Sequence, residues 1–198
     1  MEPIPVILEK TETLAETAFL RLIRVFYHIP GQKARSWVMA TRRLRPLCLG
    51  GSAAAPDAVV IAAYHAERGR LVLTREYRAP LGGFEYGFPA GLVESEESIE
   101  EAVRRELFEE TGLEVTRFTG KSPPLFSSAG MTDESVVMVG VECRGEPLRR
   151  GGIDSEIIEV RLVSPAEAGA LCNDAALLFD AKAWLVARRF AVSGRVEL

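Results

Sequence analysis

Cysteine and histidine are scarce in this chain of 198 residues, which has three of the first and two of the second. Cys48, Cys143 and Cys172 are odd in number and form no Cys-x-x-Cys spacing, so neither a disulfide framework nor a zinc site is indicated. His28 and His65 alone leave little material for histidine-based metal or nucleophilic chemistry, and both read as surface or packing residues. No basic head precedes an apolar run at the N-terminus, and no stretch reaches the roughly 18 apolar residues of a membrane helix. These absences predict a soluble chain with inert thiols in a reducing cytoplasm, without membrane association. Basic charge is not in surplus either. Lys and Arg number 24 against 28 Asp and Glu, a net charge of −4, which lacks the electrostatic footprint of a nucleic-acid binder. Arg42-Arg43 and Arg149-Arg150 therefore read as solvated surface pairs rather than phosphate tracks.

What the chain does have is enough apolar material for a core. At 47% hydrophobic and 26% charged it suits one domain with a modest extension. Residues 1–55 carry short apolar runs around Ala18–Tyr27 and Ser36–Met39, then the small-residue stretch Leu49–Pro56, and are expected to form a strand-rich extension. Residues 56–198 are the main domain. There Ala58–Tyr64 and Leu71–Glu76 flank the turn Glu67-Arg68-Gly69 and read as a hairpin. Glu114–Phe118, Val136–Val141 and Ile157–Val163 are further strand candidates. Ser164-Pro165-Ala166-Glu167 combines an N-cap, a first-turn proline and a capping glutamate, so a helix follows it. A late helix is expected from about Ala175 to Phe190.

The segment Gly91–Leu113 carries the chemistry. It reads Gly91-x5-Glu97-x7-Arg105-Glu106-Leu107-x-Glu109-Glu110-x-Gly112-Leu113. Ser98 followed by Glu101 is a capping box, and Gly112 supplies a left-handed stop, so a helix is predicted over Ile99–Thr111. At about 100° per residue, Ile99, Ala102 and Val103 form an apolar stripe that Glu106, Glu109 and Glu110 continue. Carboxylates on the side that packs are costly to desolvate and repel one another unless a cation sits among them. With no Cys or His nearby, oxygen donors of this kind suit a hard ion such as Mg2+. Phe88-Pro89-Ala90-Gly91 reads as a loop that joins a strand to this helix, where Pro89 fixes a dihedral and Gly91 is expected to permit a backbone conformation closed to other residues.

This pattern resembles a complete Nudix box, the signature of hydrolases that cleave a nucleoside diphosphate linked to another moiety. The resemblance implies an α+β fold, an α/β/α sandwich with a mixed sheet flanked by helices, plus the small N-terminal β unit. It implies Mg2+ as cofactor, with Mn2+ as a substitute, held by Glu106, Glu109, Glu110 and the carbonyl of Ala90. It also implies that Glu97 and Arg105 pair, that with Gly91 and Gly112 they support the box, and that Arg105 and Glu109 are among the catalytic residues.

Outside the box, Arg75-Glu76-Tyr77-Arg78-Ala79-Pro80 and Phe88-Pro89-Ala90-Gly91 are similar to the ADP-ribose/ADP-sugar pyrophosphatase branch. That likeness implies a substrate contact at Arg78, the other reading being a salt bridge at a strand end. Glu85 stands two residues before Gly87, the position where the branch commonly has an acid, and is a candidate to replace it. Ser127–Glu134 resembles the branch's loop that ends in a general base, here Glu134, although Ala129 occupies the place of that loop's proline. One of the box glutamates is the alternative base. Trp37 is a candidate to stack on a base, or else packs at an interface, since the N-terminal unit of this branch contributes to a homodimer. The implied reaction is hydrolysis of ADP-ribose or an ADP-sugar to AMP and a sugar phosphate. The alternatives are GDP-mannose or another nucleotide sugar as substrate, and a non-catalytic sensing module, which the full set of box carboxylates argues against.

Overall fold

A computed structural model describes residues 4–148 and 157–198. Arg149-Arg150 lies outside the described residues. The chain divides into two compact units, one of residues 1–57 and 124–136, the other of residues 58–123 and 137–198.

In the first unit β1 (Ile7–Glu16), β2 (Arg21–His28) and β3 (Arg35–Thr41) form an antiparallel sheet in that order. β1 was not expected. Its residues are almost all exposed and show no apolar alternation, so only its pairing with β2 makes it a strand. On β2, by contrast, Ile23 and Val25 are buried and alternate with exposed or half-buried neighbours.

The second unit holds a mixed sheet. β4 (Ala58–His65) and β5 (Arg70–Arg78) form the expected hairpin, with Gly69 at φ 62° in its turn. They are followed by β6 (Gly83–Gly87), β7 (Ala90–Leu92) and helix α1 (Ile99–Thr111). Next come β8 (Glu114–Lys121), β9 (Leu125–Phe126) and β10 (Ser135–Arg144), β9 pairing with Ser135 and Val136 in the first unit. β11 (Ile158–Val163), α2 (Pro165–Asn173), β12 (Leu178–Phe179) and α3 (Ala181–Ser193) complete the order. The sheet runs β12-β6-β5-β4-β10-β8, with β11 paired to β5 and β7 to β4. β12 lies parallel to β6 while β5 and β6 are antiparallel, which makes the sheet mixed.

β4 is buried at five consecutive positions, Val59–Ala63, so layers cover both of its faces. Val59, Ile61 and Ala63 pack with Val72, with Ala102, Val103 and Leu107 of α1, and with Val137, Val139 and Val141 of β10. This core is what fixes α1 against the sheet.

Two local expectations need correction. The stretch Phe88–Gly91 is not all loop, because Ala90–Leu92 adds to β4 in the register Val60↔Ala90 and Val59↔Gly91. The last helix starts at Ala181 rather than near Ala175. Asp180 caps it by accepting from the N–H groups of Lys182 and Ala183, while Leu178 and Phe179 pair with Glu85 and Tyr86 instead of beginning a helix.

Candidate active site

Helix α1 forms where its local chemistry places it. Ser98 accepts from Glu101 N–H, Glu101 accepts in return from Ser98 N–H at 2.9 Å, and Gly112 ends the helix at φ 72°. Its buried side is Ala102, Val103, Leu107, Glu110 and Thr111, so the apolar stripe does run into a carboxylate. Glu110 is only 6% exposed, and one of its oxygens lies 3.5 Å from the Ala90 amide on β7.

Gly91 faces the same place, and its role differs from expectation. Its φ is not in the left-handed region, so conformation is not what requires glycine. A Cβ at Gly91 would overlap the Glu106 carboxyl group. The missing side chain therefore makes room for Glu106 against β7.

Arg105 ties the box together. Its Nε and Nη2 donate to the two oxygens of Glu97, each at 2.9 Å, and Nη2 also donates to the Leu92 carbonyl at 3.0 Å. Nη1 donates to Glu106 at 2.7 Å and reaches Glu109 at 3.4 Å. The hydrogen bond from Arg105 holds the Glu97 carboxyl below the usual carboxylate range, and the bond to Glu97, reinforced by Glu106, keeps Arg105 charged. One guanidinium thus links the strand β7, the segment before α1, and two glutamates of the helix.

Among the described residues no three acidic, His or Cys side chains converge into a ready-made metal cage. The donors present nonetheless fit a hard cation. They are oxygen donors without a sulfur or imidazole, Glu110 is buried, and the hollow at Gly91 is filled by a carboxylate. An ion that keeps several waters and shares substrate phosphates needs few protein ligands.

A second group lies where β5 meets β6. Glu76 and Glu85 stand opposite each other across the two strands, and Arg78 joins them, at 2.7 Å from Glu76 and 3.6 Å from Glu85. Burial, then the nearby Asp180, pushes the Glu85 carboxyl up, and Arg78 opposes that rise. Arg78 is therefore both salt-bridged and, at 47% exposure, open to solvent.

Trp37 and Glu134 belong to the first unit. The Trp37 indole donates to the Gly130 carbonyl at 2.8 Å, leaving the residue half exposed, and Glu134 accepts from Arg42 at 3.0 Å. Arg42 is exposed, as expected of a solvated pair, but Arg43 is not. Arg43 is mostly buried and donates to Asp57 at 2.6 Å and to Ser135 at 2.9 Å. Sequence reasoning read Arg43 as solvated and passed over Asp57, because a run of two arginines carries no mark of a buried partner.

Residues 55–189 match the family model of the NUDIX domain. The ADP-ribose pyrophosphatase of Saccharomyces cerevisiae is 30% identical over 128 residues, covering 65% of this chain and 54% of that protein. The chain thus spans about half the length of the yeast relative. The ADP-sugar pyrophosphatase of Mus musculus is 28% identical over 155 residues, 75% of this chain and 69% of that one. The GDP-mannose pyrophosphatase of Pectobacterium atrosepticum is 35% identical over 127 residues, 60% of this chain and 64% of that one. A crystal structure of an ADP compounds hydrolase shares the fold, with a TM-score of 0.71 at 22% identity over 96% of each chain. With its box laid out on α1 and β7 and well over half of its length matched by the family model, the chain belongs to the NUDIX domain family.

Proposed function

We propose that this chain hydrolyses the diphosphate bond of ADP-ribose or an ADP-sugar, releasing AMP and a sugar phosphate. The observation that carries the reading is the meeting of Glu106 with the hollow at Gly91 and of Glu110 with the Ala90 amide, which gathers box carboxylates at β7. The names of the yeast and mouse relatives support the adenine nucleotide, and that of the Pectobacterium relative keeps GDP-mannose as the alternative substrate.

Mg2+, or Mn2+ in its place, would be held by Glu106, Glu109, Glu110 and the Ala90 carbonyl, and when bound it supplies charge neutralisation at the phosphate oxygens and a more acidic water. Arg105, itself held by Glu97, keeps Glu106 and Glu109 aligned through its hydrogen bonds to them. Arg78 contacts the nucleotide or its ribose, with Glu85 beside it, and the exposed Trp37 ring stacks on the base. Glu134 takes the proton of the attacking water, a role worth about 10^2 to 10^4 in rate.

The same reading has the chain act as a homodimer in the cytoplasm, without nucleic acid or membrane as partner. No helix among the described residues is long and apolar enough to cross a membrane. Support for self-association comes from apolar side chains left exposed on and around the N-terminal sheet, Phe19, Leu22 and Val38 among them. Turnover of ADP-ribose, ADP-glucose and GDP-mannose, compared by kcat/KM, tests the substrate. A clear preference for GDP-mannose would move the assignment to the alternative.

A further inference from the structure

The segment that carries Glu134 is held from both sides within the first unit. Upstream, the Ala40 N–H donates to the Met131 carbonyl at 2.8 Å, and the Leu47 N–H donates to Asp133 at 3.0 Å. Downstream, the Ser135 N–H donates to Asp57 at 2.7 Å, and Arg43 donates to both Asp57 and the Ser135 hydroxyl. Asp133 and Ser135, the two neighbours of Glu134, are 8% and 0% exposed, whereas the Glu134 side chain is 36% exposed. The chain is therefore pinned at two buried points one residue on either side of a carboxylate that projects outward. That carboxylate accepts a hydrogen bond from Arg42 Nε at 3.0 Å.

We infer that the two adjacent arginines together position Glu134. Arg43 fixes the backbone that carries it, through Asp57 and Ser135, and Arg42 fixes the direction of its carboxylate. Both are positioning residues, and the inference rests on the reading of Glu134 as the proton acceptor. A flexible glutamate on a loop samples several rotamers, and a proton acceptor contributes only from the one that meets the water. A charge-assisted hydrogen bond from Arg42 narrows that choice. Because Arg43 is mostly buried in an ion pair, its removal would disturb the fold, so Arg42, which is 43% exposed, is the residue to test.

The experiment is a double-mutant cycle on the full chain, with ADP-ribose and Mg2+, reading kcat and KM for Arg42→Ala, Arg42→Lys, Glu134→Gln and the Arg42→Ala/Glu134→Gln pair. Glu134→Gln should lower kcat by about 10^2 to 10^4. Arg42→Ala should lower kcat by about 10- to 100-fold with KM little changed, and Arg42→Lys should restore most of that loss. In the Glu134→Gln background, Arg42→Ala should have no further effect. Loss by the same factor in both backgrounds, an effect confined to KM, or no effect of Arg42→Ala would overturn the inference. Full activity in Glu134→Gln would instead remove the proton-acceptor reading, and the role of Arg42 with it.

Discussion

Arg105 and Glu97, eight positions apart in the chain, face each other fork to fork, with both nitrogen–oxygen distances at 2.9 Å. Lysine offers a point charge without the planar fork, so Arg105→Lys keeps the charge and loses the geometry. Its expected cost is about 1 to 3 kcal/mol in stability at neutral pH, read as a lower urea midpoint. The pH dependence follows from the lowered Glu97 value. A carboxylate whose folded pKa is depressed contributes stability above its unfolded pKa and loses it as pH falls through the folded one. The stability difference between wild type and variant should therefore shrink as the solution is taken below the carboxylate range. A difference that stays constant into acid would show that the pair is not its source.

Gly91→Ala is expected to retain the fold and to damage activity. The added methyl group overlaps the Glu106 carboxyl, which has to turn away from β7. A drop in kcat of about 10- to 100-fold, with an increased Mg2+ requirement, is the predicted result. Wild-type Mg2+ dependence in this variant would mean that the position of Glu106 is unimportant.

The contrast between that glycine and the helix beside it shows what was legible in the sequence. Ser98, Glu101 and Gly112 act within a few residues, so both ends of α1 could be read from the chain alone. So could α2, where Ser164, Pro165 and Glu167 act together. The reason for glycine at position 91 is not legible in this way, because the volume of a side chain 15 positions later is a property of the packed structure. β1 went unread since its exposure pattern carries no period, and Leu178-Phe179 was mistaken for helix because two apolar residues look the same in either setting. The buried Arg43–Asp57 pair was hidden for a similar reason: its partners meet only after folding.

Glu109 and Glu110 are adjacent in the chain yet differently placed. Glu110 is buried beside Ala90, while the Glu109 side chain is 33% exposed and reaches Arg105 only at 3.4 Å. Glu110→Gln should consequently reduce turnover by about 10^2- to 10^4-fold with little change in secondary structure, and Glu109→Gln should cost less. Steady-state kinetics with circular dichroism on both variants decides this. Retained activity in Glu110→Gln would exclude it as a cation ligand.

Arg78→Ala should raise KM more than it lowers kcat, as removal of a uniform binding contact does. The substitution also leaves Glu76 and Glu85 opposed across the strand pair without the cation that joins them, so a modest loss in melting temperature is expected. An unchanged KM accompanied by that stability loss would assign Arg78 to the salt bridge alone.

Hydrolysis of a nucleoside diphosphate sugar by the box carboxylates with a divalent cation is the claim that chromatography of ADP-ribose decides, after incubation with the purified chain in Mg2+ and, in parallel, in EDTA. AMP and ribose 5-phosphate formed in equal amounts with Mg2+, and neither with EDTA, is the predicted result. Tight binding of ADP-ribose without turnover under either condition would contradict the claim and make the chain a sensor of its ligand.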